Sequence, residues 1–266
     1  MNKILFPSFN LEFNLSPIAI EIGNFQIYWY AIFIVSGIIL SLVLMYFSKQ
    51  KYNIEYEDLL EILIFVLVFG IIGARLFYVF FNLDYYLKNI SQIINIKNGG
   101  LAIFGGIIAG FVTTYILCKK KRITIFDFCD CIVPYLALTQ GIGRLGNFFN
   151  VEAYGIETTN IFRMGIETYV GYKEVHPCFL YEMIACFIIF IILKLIQKKQ
   201  KYKGEILSWY LILYGIIRFC IEGLRADSLM LFNIKISSLI SLILIVLGIF
   251  IYIIDKFCRK NQKNVI

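Results

Sequence analysis

Seven apolar stretches, each close to twenty residues long, alternate with short polar connections along this 266-residue chain. They fall at about Gln26–Phe47, Leu59–Phe81, Leu101–Cys118, Ile125–Gly141, Pro177–Ile196, Glu205–Leu224 and Ile236–Ile254. At ~1.5 Å of rise per residue, about twenty helical residues cross the apolar layer of a bilayer. The pattern therefore predicts an all-α polytopic membrane protein with seven transmembrane helices. The fourth segment is short and carries Asp127, Asp130 and Pro134. Residues 1–25 read as an amphipathic N-terminal arm (FPSFNLEFNL) lying on the surface. They lack the basic region, short apolar core and small-residue cleavage site of a signal peptide. Residues 26–255 form the transmembrane domain, including an outer loop or cap at about 144–176, and residues 256–266 a basic tail.

Composition removes the soluble alternative. Hydrophobic residues make up 60% of the chain and charged residues 16%, against about 25% charged in soluble domains. The net charge of +7 raises the question of nucleic acid. Its distribution answers it: fifteen Lys and Arg lie on alternate connections and the C-terminal tail, and seven on the opposite side. That asymmetry places the N-terminus outside and the C-terminus in the cytoplasm, and leaves no charge to explain by nucleic-acid binding. The seven cysteines are scattered in or beside apolar runs. Cys129-x-Cys131 has no second pair and no nearby histidine, so no zinc site is expected, and all seven read as small buried hydrophobes.

The polar residues inside the spans carry the functional signal. Arg75 and Arg218 each sit roughly 10 Å inside the outer end of a helix. Tyr30 begins the first span, NGGLAIFGG (98–106) opens the third, and Arg144 closes the fourth within QGIGRLGNFFN. These segments deliver their polar residues to one level, the outer third of the bilayer. An arginine in a span costs ~2.5–3.5 kcal/mol on insertion scales, so three at one depth need a reason. Tyr214, Arg218, Glu222 and Arg225 share one helical face, and Arg218 can pair with Glu222 at i, i+4. Glu152 and Glu182 are available to share the neutralisation. A structural ion pair explains one arginine but not three.

Plainer readings stand beside these. The glycines at 99, 100, 105 and 106 suit close helix packing. Trp29 fits an interfacial aromatic belt and Arg225 an interfacial anchor. Asp127 and Asp130 suit the inner end of the fourth helix. His176 precedes Pro177, as in a loop that starts a helix. Against that background the arginines still stand out. Guanidinium forks bind phosphate oxygens in pairs and keep their charge. Asn147 and Asn150 supply amide donors, and Gly143 and Gly146 permit close backbone approach. The segment is suited to holding an anionic lipid by its head.

GRLGNFFNVEAYG (143–155) resembles the signature of the bacterial prolipoprotein diacylglyceryl transferases. IYWYA around Tyr30, GARLFYV (73–79), NGGLAIFGG, HPCFLYE (176–182) and YGIIRFCIEGLRAD (214–227) match family landmarks in order across nearly the whole chain. The resemblance implies seven transmembrane helices with an outward N-terminus. It implies transfer of the diacylglyceryl group of phosphatidylglycerol to a cysteine thiol in a prolipoprotein signal peptide. A thioether forms, glycerol 1-phosphate leaves, and no metal or organic cofactor takes part. The partners are phosphatidylglycerol, signal peptides bearing a cysteine motif and the bilayer. The implied location is the bacterial cytoplasmic membrane, with the site on its outer side.

By match to the motifs, Arg144 binds phosphatidylglycerol, and Asn147, Glu152 and Gly155 complete that signature. Tyr30, Tyr214, Arg218 and Glu222 match other functional positions. Arg144 and Arg218 are expected to bind phosphate and stabilise the leaving group, with Glu222 and Tyr214 orienting Arg218. Asn150, Arg75, Gly99 and Gly100 join the expected lipid-binding set.

One position departs from the pattern. The third motif usually has histidine, sometimes tyrosine, before its last glycine pair; here it is Phe104. Phenylalanine moves no proton, so the thiol proton must pass to water, to a carboxylate such as Glu152 or Glu222, or to a phosphate oxygen. His176 serves only if its loop folds inward. Phe104 also keeps open a non-catalytic relative that binds phosphatidylglycerol or signal peptides. A transporter would need polar residues in the inner half and an internal repeat, and neither is visible. A structural scaffold leaves the motif order unexplained.

Overall fold

The computed structural model describes residues 2–23, 25–47, 49–96, 99–168, 171–226, 230–231 and 234–263. Asn98 and Asp227, at the ends of two motifs, lie outside them, as do the last three tail residues. In chain order the elements are β1 (Asn2–Phe6), β2 (Leu11–Leu15), β3 (Ile18–Ile22), β4 (Phe25–Tyr28) and α1 (Trp29–Tyr46). Then follow α2 (Tyr56–Phe80), α3 (Leu83–Tyr86), α4 (Ile103–Lys120) and α5 (Ile125–Asn150). The last are β5 (Met164–Thr168), β6 (Gly171–Val175), α6 (Cys178–Lys198), α7 (Glu205–Leu224), β7 (Met230–Leu231), β8 (Ile234–Lys235) and α8 (Ile236–Lys263). Seven of the helices are long and apolar enough to cross a membrane, as the hydropathy pattern predicts.

Three boundaries differ from the sequence reading. Phe25–Tyr28 is a strand, so the first long helix starts at Trp29 rather than Gln26. The fourth runs on from Gly141 to Asn150, and Arg144 sits inside it instead of closing it. The last helix continues through most of the basic tail to Lys263. The arm at 1–25 is not a surface helix either. β1 and β2 form a hairpin that joins β5 and β6 in an antiparallel sheet of order β2-β1-β5-β6. Ile4, Met164, Ile166, Val175 and Phe179 make its buried core, so the arm and the 144–176 segment fold as one cap.

The continuation of α5 through Pro134 has a specific cause. A proline has no N–H, so the carbonyl four residues earlier, that of Asp130, loses its helical donor. The side-chain amide of Gln197 supplies one, 3.1 Å away. The buried carboxylate of Asp130 reaches further, accepting from the Gly204 and Leu207 backbone N–H groups at 2.6 and 2.8 Å. Asp130 therefore caps the first turn of α7, an orphan-donor site, and not its own helix as expected. Asp127 does stay local, paired with Thr124.

The chain divides into two compact units, residues 48–128 and residues 1–47 with 129–266. In the first, α2 and α4 pack along glycines. A Cβ on Gly73 would lie 2.7 Å from the Gly105 carbonyl oxygen, and one on Gly105 would strike the Gly73 carbonyl and the Phe77 side chain. Without hydrophobic drive between helices in lipid, such close backbone contact is what holds a pair together. Lys121 ties the far end to Asp58 and Glu61, both at 2.5 Å.

In the larger unit a small stripe on α1, Gly37, Ser41 and Met45, is buried. Ser41 donates to the Tyr135 carbonyl at 3.1 Å, and the Thr139 hydroxyl to that of Gly37 at 3.2 Å. The α7–α8 pair closes on Gly215 and Gly248, whose added Cβ atoms would lie 2.9 Å from Ser241 O and 2.8 Å from Ser208 O. These contacts bring the start of α1, the end of α5, the start of α6, the end of α7 and the start of α8 to one end of the unit.

Candidate functional site

At that end, α5 and α7 each present an arginine six residues before their last helical residue, and α6 presents Glu182 from its second turn. Glu182 is buried, and it is the hub. Arg144 Nη2 donates to its Oε1, Arg218 Nη1 to its Oε2 at 3.2 Å, and the Tyr214 hydroxyl to Oε1 at 3.4 Å. Arg218 Nη2 also lies 2.8 Å from Glu222 Oε2 and donates to the Ser237 hydroxyl at 3.3 Å. Two arginines and two carboxylates are formally neutral together, which lets the quartet stand in an apolar layer.

The i, i+4 pair of Arg218 and Glu222 is thus present, while Tyr214 contacts Glu182 rather than Arg218. Tyr214 is itself stacked on Tyr210, with ring centroids 5.6 Å apart, and Tyr210 donates to the Gln140 side-chain oxygen at 3.0 Å. Glu222 is fully buried, yet neither of its oxygens accepts a directed hydrogen bond from any described residue. Its contact with Arg218 is one of charge.

Arg144 commits two of its five N–H donors among the described residues, one to Glu182 and one to the Asn147 side-chain oxygen at 3.2 Å. Three remain. Arg75 is the contrast. Its Nε, both Nη1 and both Nη2 hydrogens end on the backbone carbonyls of Ile93, Gly99, Gly100, Gln92 and Asn95, at 2.6–2.9 Å. All five donors are spent, so in this fold Arg75 has none left for a phosphate. The glycines expected to touch lipid serve it instead. Gly99 and Gly100 hold φ of +82° and +81°, and a Cβ on Gly100 would strike the Arg75 guanidinium.

The rest of the signature folds as follows. Gly146 is filled by Tyr30: a Cβ there would lie 2.9 Å from the Tyr30 Cα, so this glycine admits α1 rather than a ligand. The Tyr30 ring is partly exposed at the helix start. Trp29 stacks on Phe149 with centroids 5.0 Å apart. Beyond Asn150 the chain turns sharply through Val151 and Ala153, both left-handed at φ 55° and 56°. Such a conformation is costly for a branched residue. The turn leaves Glu152 exposed, hydrogen-bonded at 3.3 Å by Asn150 and not by Arg144. The Asn150 carbonyl oxygen is buried without a partner among the described residues.

Gly155 is enclosed by protein, with the Leu224 carbonyl 2.6 Å and Cys178 Sγ 2.7 Å from where its Cβ would be. Its N–H donates to the His176 carbonyl. His176 turns its Nδ1 to the Tyr181 hydroxyl at 3.3 Å. Phe104 sits in the first turn of α4, partly exposed. Cys118, Cys131, Cys178 and Cys186 are buried as expected, but Cys220 is exposed.

Glu182 is absent from the site set expected from sequence. Its signal was present in HPCFLYE, a glutamate within a span, but the motif alone does not say that arginines from two other helices meet on it.

Known proteins share this arrangement of segments. A family model described as prolipoprotein diacylglyceryl transferase matches residues 17–254. A phosphatidylglycerol–prolipoprotein diacylglyceryl transferase of Finegoldia magna is 44% identical over 253 residues, covering 95% of this chain and 98% of that protein. The proteins of the same name from Clostridium novyi and Streptococcus pneumoniae are 43% and 41% identical, each over 94% of this chain and 98% and 96% of their own length. The chain belongs to the prolipoprotein diacylglyceryl transferase family.

Proposed function

We propose that the protein moves the diacylglyceryl group of phosphatidylglycerol onto the cysteine thiol of a prolipoprotein signal peptide, the first step of lipoprotein maturation. The observation that carries this reading is the meeting of Arg144 and Arg218 on the two oxygens of buried Glu182, with donors of Arg144 uncommitted. A phosphodiester accepts from those donors and from Arg218, in the paired geometry that guanidinium and phosphate share.

The sulfur attacks the glyceryl carbon that bears the phosphate. A C–S bond forms as the C–O bond breaks, and the electron pair leaves on glycerol 1-phosphate. The arginines meet the charge that gathers on that oxygen. Glu182 and Tyr214 hold both guanidinium groups in place, and Glu222 balances Arg218. Asn147 fixes Arg144, and Asn150, Glu152 and Tyr30 border the reacting groups. A thiol of pKa near 8.5 needs modest help, so its proton passes to water, to a carboxylate such as Glu152, or to a phosphate oxygen. The protein works in the bacterial cytoplasmic membrane with this end facing out, as the lysine and arginine asymmetry supports.

The test combines purified protein, phosphatidylglycerol vesicles and a peptide with a lipoprotein cysteine motif, following glycerol phosphate release and peptide mass together. A diacylglyceryl mass gain that vanishes in Arg144→Ala is the expected result. Phe104 favours one other reading, a relative that binds these substrates without transfer. Folded, lipid-bound protein that gives no mass gain would establish that reading, with Phe104→His as the next variant.

A further inference from the structure

Beside the ion cluster runs a groove of about 320 Å³ whose lining side chains are all apolar. Leu11 and Phe13 of β2 form one wall, and Leu145 and Phe148 of α5 with Phe179 and Met183 of α6 form another. It is continuous with the site, since Leu145 follows Arg144 and Met183 follows Glu182 in the same helices that the Arg144–Glu182 pair joins. It also has a direction. Phe148 lies ~6 Å past Arg144 along α5, and Phe179 ~4.5 Å before Glu182 along α6, both toward the helix ends and the sheet.

That direction selects the occupant. The acyl chains of a lipid whose phosphate sits on Arg144 run the other way, into the apolar layer. What lies on the sheet side of the arginines is the acceptor. A peptide in an apolar groove needs partners for its backbone, because unpaired N–H and C=O groups are costly there. β2 provides them. It is the outermost strand of the sheet, and its free edge pairs with no strand among the described residues. A strand added to that edge places every second side chain beside Leu11 and Phe13, on the face that lines the groove.

We infer that the groove and the β2 edge bind the prolipoprotein as an extended strand, with apolar residues flanking its acceptor cysteine seated among the phenylalanines. This rests on the transferase reading and names how its second substrate is held.

The experiment measures transfer by purified wild-type, Leu11→Lys and Phe9→Ser proteins, varying peptide and phosphatidylglycerol separately. Leu11 and Phe9 are half exposed, so both variants are expected to keep the wild-type melting temperature. The expected result is a KM for peptide raised about tenfold, the contact of one buried aliphatic side chain, with kcat and the KM for phosphatidylglycerol unchanged. A peptide with glutamate at the facing apolar position should regain affinity for Leu11→Lys alone, and N-methylation should hurt at alternate peptide residues. A raised KM for phosphatidylglycerol instead would make the groove an acyl-chain site and overturn the proposal. So would no change in either KM. If wild-type protein transfers nothing, the transferase reading fails by itself. Anisotropy of the labelled peptide on the same three proteins in phosphatidylglycerol nanodiscs then decides the groove: weaker binding to both variants supports it, equal binding refutes it.

Discussion

Arg144, six residues before the end of α5, donates to the buried carboxylate of Glu182 in the second turn of α6. The same carboxylate holds Arg218 through its other oxygen, so one charge fixes two cations from two other helices. Replacing it with the isosteric amide keeps the volume and leaves Arg144 and Arg218 facing each other with Glu222 alone to balance them. Breaking a buried pair in this way costs ~3–5 kcal/mol where nothing relaxes. Glu182→Gln is expected to lower the melting temperature in detergent and to cut kcat/KM by at least about a hundredfold. Glu152→Gln, at an exposed carboxylate that touches no arginine, is expected to leave the melting temperature unchanged. Equal melting temperatures for wild type and Glu182→Gln would show that the quartet is not held by this carboxylate.

Arg75 leads to the opposite expectation. Its five donors meet five carbonyls of the segment between α3 and α4, and its guanidinium lies 5.2 Å from the Tyr86 ring centroid. An ammonium has three donors and no plane, so Arg75→Lys leaves at least two carbonyls unpaired, at ~1–3 kcal/mol each where they are buried. The variant is expected to open residues 92–100 to limited proteolysis while the KM for phosphatidylglycerol stays at the wild-type value. A lipid KM raised without faster cleavage would return Arg75 to the binding set.

These two arginines mark how far the sequence can be read. Both stand in apolar runs, and residue type and depth are the same for each; only the fold shows where the donors end. The Arg218–Glu222 pair was legible because its partners are four residues apart on one helix. Glu182 was not, because its partners lie 38 and 36 residues away on other helices. The spans were legible because lipid demands long apolar runs whatever their packing. The cap was not: β1 and β5 are five-residue strands some 160 positions apart, and nothing local in KILF pairs it with MGIET. Helix α5 was read short because a proline and two glycines usually mark an end. Here Gln197 replaces the missing donor, and Gly146 is the seat of Tyr30.

That seat gives a third expectation. A Cβ at Gly146 would collide with the Tyr30 ring and sit 2.9 Å from its Cα, backbone that cannot rotate away. Gly146→Ala should push the start of α1 off α5 at ~1–3 kcal/mol. Gly143→Ala, whose nearest neighbour would be 3.8 Å away, should be close to neutral. Melting temperatures of the two variants make the comparison. Trp29 emission adds a second reading, since its ring stacks on Phe149 across the same joint and should shift in Gly146→Ala alone. Equal effects from both alanines would mean that α1 is not seated on Gly146.

The last expectation concerns Pro134 and Gln197, where a cost and its remedy can be separated. Gln197 donates to the carbonyl that Pro134 leaves without a helical partner. In the wild-type background Gln197→Leu strands that carbonyl, at ~1–3 kcal/mol. In a Pro134→Ala background residue 134 regains its N–H, the helix bonds the carbonyl itself, and the same substitution should cost about 1 kcal/mol less. Gln197 also accepts from Lys194 at 2.6 Å, but that contact is lost equally in both backgrounds and cancels in the cycle. Unfolding in mixed micelles, measured for the four proteins, gives the coupling directly. A coupling of zero would mean that the helix passes Pro134 by some other means. A positive coupling would show that a glutamine in the sixth helix carries α5 past its proline, and so keeps Arg144 in register with Glu182.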